Sequence, residues 1–197
     1  MGKVTLAIDF GSKTSGYTAA AHQDESNQIT LHQVRKGQNA DVWLKELIQR
    51  TSAEVVAIDA PLSLPGVYSK IEHCSNHHYR HCDLEAGAMS PMFLGGLTAR
   101  AIELKSWLFQ NTHAEVIEVY PKLVAQRLEL DKRYKKDSSY IQEALVALDK
   151  ELTGTRPVDT VENWHRFDAL LALIAANRYV AGTAEKIGLE TEGIIYF

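Results

Sequence analysis

Three short apolar runs constrain this chain most: VTLAID (4–9), EVVAI (54–58) followed at once by Asp59, and EVIEV (115–119). Each is rich in β-branched or aliphatic residues, too short for a globular helix, and bounded by turn residues, so each reads as a buried strand. Each also closes on or beside an acid: Asp9, Asp59 and Glu118. An unpaired carboxylate at the end of a buried strand is costly, so such a residue is normally paired, protonated or holding a cation. The sequence therefore asks for a sheet in which distant segments bring acids to one edge.

The remaining pattern fits such a sheet. After Val4–Asp9, Gly11 and Gly16 mark a turn into a second strand, Tyr17–Ala21, and Ile29–Val34 gives a third. Helical spacing covers Asp41–Arg50, Gly96–Gln110, Pro121–Leu130, Ser138–Leu152 and Val161–Val180, and Glu185–Phe197 ends the chain as a short strand or hairpin. Three meandering strands followed by alternating helices and strands argue an α/β domain on a mixed sheet. In such sheets, sites lie beyond the carboxyl ends of the parallel strands. With 197 residues and no linker-like stretch, the expectation is one domain over 1–197, carrying a His- and Cys-rich insert at about 66–93.

A fourth acid, Asp168, lies inside NWHRFDALLALIAANRY. Its helical face is Asp168, Ala172, Ala175 and Ala176, a stripe of methyl groups that would let the helix approach a sheet closely. Two carboxylates ~4 Å apart repel by ~4 kcal/mol at an effective dielectric near 20. Asp9, Asp59, Glu118 and Asp168 in one place would thus require cations. Oxygen ligands select Mg²⁺ or Mn²⁺, and paired ions of this kind serve in-line phosphoryl chemistry. Taken singly, each aspartate also fits a turn or helix cap, and Asp168 could pair with Arg166 or Arg178.

The same residues carry a family likeness. DFGSKTSG, VVAIDAPLSLP, YRHCD, VIEVYP and HRFDALLALIAANRY, in that order over nearly the whole chain, resemble the motifs of an uncharacterised family of predicted nucleases with an RNase H-like fold. The resemblance implies a mixed sheet whose first three strands are antiparallel, with helices on its faces. It also implies a divalent-metal nuclease site at Asp9, Asp59, Glu118 and Asp168. His165-Arg166-Phe167-Asp168 is similar to the His-x-x-Asp pattern of the last helix of some resolvases, which makes His165 a candidate for orienting Asp168 or moving a proton. Arg80 and Asp83 belong to the family-like part of the insert, and Arg80 is a candidate phosphate contact. Lys13, in the first turn, could neutralise phosphate charge.

Other features point less sharply. HCSNHHYRHC (73–82) packs thiols and imidazoles densely enough to suggest Zn²⁺, but the spacing is not that of a zinc finger and no second pair exists, which argues for a polar lid. DKRYKKD (131–137) reads as a solvated loop or a backbone-tracking patch. A net charge of −4 gives no global basic field, so a nucleic-acid partner must be held locally or through metal. Two cysteines, no leader-like start and no long apolar run point to a cytoplasmic protein without a membrane span. Two rival readings remain. DFGSKTSG is also similar to the phosphate-holding hairpin of sugar kinases and actin-like ATPases, although those need two such domains. A non-catalytic scaffold could keep the acids as a remnant.

Overall fold

The computed structural model describes residues 3–152 and 161–197. Seven strands form one sheet: β1 (Thr5–Asp9), β2 (Ala19–Gln23), β3 (Ile29–Gln33), β4 (Val55–Asp59), β5 (Glu115–Val119), β6 (Lys186–Leu189) and β7 (Gly193–Tyr196), in the order β3-β2-β1-β4-β5-β7-β6. β1, β2 and β3 are antiparallel neighbours, whereas β4, β5 and β7 run parallel to β1. β6 returns antiparallel to β7 as the terminal hairpin. This is an α/β domain with a mixed central sheet flanked by helices, in the RNase H-like arrangement that the motifs imply.

Seven helices accompany the sheet among the described residues: α1 (Ala40–Thr51), α2 (His81–Ala86), α3 (Pro91–Leu94), α4 (Gly96–Asn111), α5 (Pro121–Arg127), α6 (Ile141–Leu148) and α7 (Trp164–Val180). None of them is long and apolar enough to cross a membrane. Among the described residues two large cores result, one on each face of the sheet, with a smaller cluster at Cys82, Ala86 and Ile195. On one face, α5, α6 and α7 pack on Ala7, Ala19, Ala21, Val55, Ala57, Ile117 and Val119. On the other, α1 and α4 cover Leu6, Ile8, Ala20, Val56 and Ile58. Period-two alternation along each strand produces this division.

Element ends differ from the sequence expectation for local reasons. α7 begins at Trp164 rather than Val161 because the Asn163 side chain accepts from the backbone N–H of His165 and Arg166, a strong N-cap. α5 stops at Arg127, just before Glu129 enters the left-handed region at φ 52°. The stretch expected as one helix over 138–152 divides into a 3₁₀ turn (Ser138–Tyr140) and α6.

α7 lies across β1, β2 and β4. Ala172, Ala175 and Ala176 are fully buried there, beside Ala7, Ala19, Ala21 and Ala57 of the sheet. Small residues face small residues, so the helix axis can sit close to the strands and the short side chain of Asp168 reaches the strand ends.

Candidate active site

β1 and β4 are parallel neighbours in a register that sets Asp9 directly beside Asp59. Adjacent strands lie about 4.8 Å apart, and partners in register point to the same face. Both aspartates follow alanines of the α7-side core, Ala7 and Ala57, by two residues, so both face α7. Asp168, in the second turn of α7, is almost fully buried against them.

Asp59 stands out electrostatically. Among the described residues, no hydrogen-bond donor or ion-pair partner reaches its carboxylate. Burial, and then the charge of Asp9, push its pKa well above the usual carboxylate range, with Asp168 adding to the effect and Lys135 opposing it. Asp168 is pushed up to about 6 by burial, against the pull of the Lys135 ammonium.

The two neighbours of Asp59 are held by the protein. Tyr134 Oη donates to Asp168 Oδ1 at 2.5 Å, and Lys135 Nζ lies 2.5 Å from Asp168 Oδ2. Both come from DKRYKKD, which folds back toward α7; Lys135 takes a left-handed backbone, φ 62°, to do so. Tyr134 is fixed by edge-on contact with Trp164. On the other side, His165 Nδ1 lies 2.8 Å from Asp9 Oδ2, and the hydrogen bond to Asp9 raises the histidine pKa. The Tyr17 ring stacks on His165, with centroids 4.7 Å apart. His165 therefore serves Asp9, not Asp168 as its helical spacing suggested.

Glu118 does not join the aspartates. It pairs in register with Ile58, a residue of the opposite core, so alternation turns its side chain to the α4 side of the sheet. There Arg80 donates to both its oxygens, Nη1 to Oε2 at 2.7 Å and Nη2 to Oε1 at 2.6 Å, and the Leu62 backbone N–H adds a third bond. Arg80 also donates from Nε and Nη2 to Asp83, and from Nη1 to Ser63 Oγ. Gly193 allows this seating: a Cβ there would lie 3.0 Å from Arg80 Nη1 and closer still to Ser63. Burial alone would lower the Arg80 pKa, but the bonds to Glu118 and Asp83 outweigh it and raise it. The expectation that Arg80 meets a substrate phosphate is thus corrected, because the guanidinium is 0% exposed and already held by its neighbours.

Among the described residues, Cys82, Asp83 and Glu118 offer ligand atoms within 4.8 Å of one another, a spacing that could hold a divalent cation. The Arg80 guanidinium already bonds two members of that group and occupies the place a cation would take. Burial pushes the third, the Cys82 thiol, up to about 12, which disfavours the thiolate a metal would need.

The other candidates lie around the edge. Lys13 is half exposed, 3.9 Å from Asp41. The histidines of the insert spread outward: His73 beside Glu72, His77 against Tyr68, His78 on Phe93 and His81 beside Glu85. Cys74 sits against Gly66 and Glu192. Sequence reasoning missed Tyr134 and Lys135 as parts of the site. Their run of charge marks a loop, and nothing in its spacing says which cation turns inward.

No family model matches the chain, and no curated protein matches it in sequence. Among solved structures it is similar to Thermus thermophilus RuvC, at 15% identity and a TM-score of 0.47, over 91% of this chain and 97% of that one. It is also similar to T. thermophilus RuvC in complex with Holliday junction substrate, at 16% identity and a TM-score of 0.44, over the same shares of the two chains. These are distant likenesses.

Proposed function

We propose that the strand-end pocket hydrolyses phosphodiester bonds of nucleic acid with one or two Mg²⁺ or Mn²⁺ ions, Asp9, Asp59 and Asp168 being the ligands. The observation that carries this reading is the carboxylate of Asp59, which faces two other acids without a donor of its own among the described residues. Repulsion between two such neighbours is roughly 3 kcal/mol at an effective dielectric near 20. The chain offsets part of it with one ammonium, Lys135. Three acids against one lysine and one histidine still leave a deficit of positive charge, and hard oxygen donors suit a divalent ion.

When bound, such an ion would polarise a phosphoryl oxygen and ease the deprotonation of water. His165, hydrogen-bonded to Asp9 and with its pKa raised by that bond, would be the group placed to give a proton to the departing oxygen. Lys13 would meet phosphate charge at the rim. Glu118 would reach an ion only by exchanging Arg80 for it, so its part is to brace the wall beside the aspartates. The insert at 66–93 would act as a lid within a single domain.

The test is cleavage of labelled single strands, duplexes and branched junctions, of DNA and RNA, in Mg²⁺ and Mn²⁺. Asp9→Asn, Asp59→Asn and Asp168→Asn should each abolish cleavage while remaining folded. Variants that cut as well as the parent in Mn²⁺ would overturn the assignment.

A further inference from the structure

A crevice of about 210 Å³ opens beside Asp59, beyond the carboxyl ends of β4 and β5. Phe10, Tyr120, Met89, Leu94 and Leu97 form its apolar walls, and Asp59 stands among them. The Arg80–Glu118–Asp83 group also lines it, one guanidinium bonded to two carboxylates. We propose that this crevice receives one unpaired nucleobase of the substrate, a proposal that rests on the hydrolytic reading of the strand-end acids.

Charge selects the occupant. Arg80 is the cation of the lining and is already bonded to Asp83 and Glu118, so the walls beyond Asp59 offer no spare cation to hold a phosphate, and the part of a nucleotide that enters is the neutral one. Size selects further: the space suits a single ring system, not a base pair. The walls offer two aromatic rings and a thioether, surfaces that favour flat, polarisable groups. Among the described residues no donor reaches either Asp59 oxygen, so with one oxygen on the ion the other can accept from the ring N–H or amino group that most bases carry.

The neighbouring surface supports the same occupant. Met89, on the lining, is 60% exposed, and Phe93, next to the lining residue Leu94 in the chain, is 66% exposed, unusual for large apolar side chains. Phe93 stacks on His78 with centroids 5.7 Å apart and meets Tyr79 edge-on, a platform on which an adjacent base could lie. Ser90 Oγ bonds the His78 carbonyl at 2.5 Å and caps α3, so this rim is held in place. A base inside a duplex cannot enter without leaving its stack. The favoured substrate therefore carries an unpaired nucleotide at the cleavage point.

A single-stranded oligonucleotide with 2-aminopurine at one position tests this, titrated with the full chain in Ca²⁺ and followed by cleavage assays in Mn²⁺. The fluorescence should rise on binding, and should not rise when the same position is paired in a duplex. Leu94→Trp, which fills the crevice, should weaken binding about tenfold. Met89→Ala, at an exposed position that carries little folding risk, should weaken it about threefold. Binding and cleavage by both variants at the parent's level, or duplex cut as fast as single strand, would overturn the crevice assignment while leaving Asp-dependent cleavage intact. If the parent neither binds nor cuts any oligonucleotide, the hydrolytic reading falls with it.

Discussion

Asp9 and Asp59 occupy one rung of the sheet, side by side on parallel strands and pointing to the same face. Asp9 has His165 at 2.8 Å; Asp59 has no such partner among the described residues. That asymmetry leaves the Asp59 charge, of the three clustered aspartates, without a compensating donor among the described residues.

Asp59→Asn should therefore stabilise the chain in chelator. The amide keeps the volume, removes a charge beside Asp9 and Asp168, and breaks no hydrogen bond among the described residues. A gain of about 1 kcal/mol, or a few degrees in melting temperature, is expected. Thermal denaturation in EDTA reads it. A clear loss of stability would mean that the Asp59 carboxylate has a partner within the fold.

Stability in chelator should fall as pH rises from about 4 to about 6. Asp168 titrates near 6 in the fold and near 3.8 when unfolded, so between those values the folded chain binds the extra proton. Asp59, also raised, adds in the same direction, and its contribution is likewise lost as pH rises through its folded pKa. His165, raised through Asp9, favours the fold below its unfolded value of 6.5 and loses that contribution as pH climbs through its folded pKa. Mn²⁺ competes with these carboxyl protons, so its stabilising effect should be larger at pH 7.5 than at pH 5. Denaturant melts across that range, with and without Mn²⁺, give both slopes.

Lys135→Met should separate two effects of one ammonium. Without metal, Asp168 loses its ion pair and the chain melts at lower temperature. With metal, the competing cation is gone, and Mn²⁺ should bind about tenfold more tightly by calorimetry. Weaker Mn²⁺ binding would show that Lys135 supports the ion instead of standing in for it.

The sheet was readable from sequence because its signals are local. EVIEV has the same ends in the structure as in the sequence reading, and VTLAID and EVVAI-Asp59 end on the acids they suggested. The alanine stripe of α7 also predicted close packing on the strands, since helical periodicity fixes which residues share a face. Face selection at β5 was legible only in part. Glu118 lies between Ile117 and Val119, and both of those belong to the α7-side core, so parity alone sends the acid to the other face. Reading it required knowing which apolar set faced α7, a tertiary fact. Lys135 and Arg80 were less accessible still. One looked like a solvated loop charge and the other like a surface phosphate contact, and only the return of a turn and of the terminal hairpin brings them inward.

Glu118 and Asp59 should consequently respond in opposite ways to the same chemical change. Glu118→Gln removes half of a buried ion pair and leaves Arg80 short of an anion, which typically costs about 3–5 kcal/mol. Because both Glu118 oxygens face Arg80 and not the aspartates, the loss should be similar with and without Mn²⁺. The Mn²⁺-induced rise in melting temperature should survive in Glu118→Gln and vanish in Asp59→Asn. Arg80→Met is expected to be at least as damaging, since it strands Asp83 and Glu118 together in a buried place. If instead Glu118→Gln leaves stability unchanged in EDTA but abolishes the response to Mn²⁺, then Glu118 exchanges its guanidinium for the ion. In that case the acid-bearing ends of β4 and β5 work as one site despite facing opposite sides of the sheet.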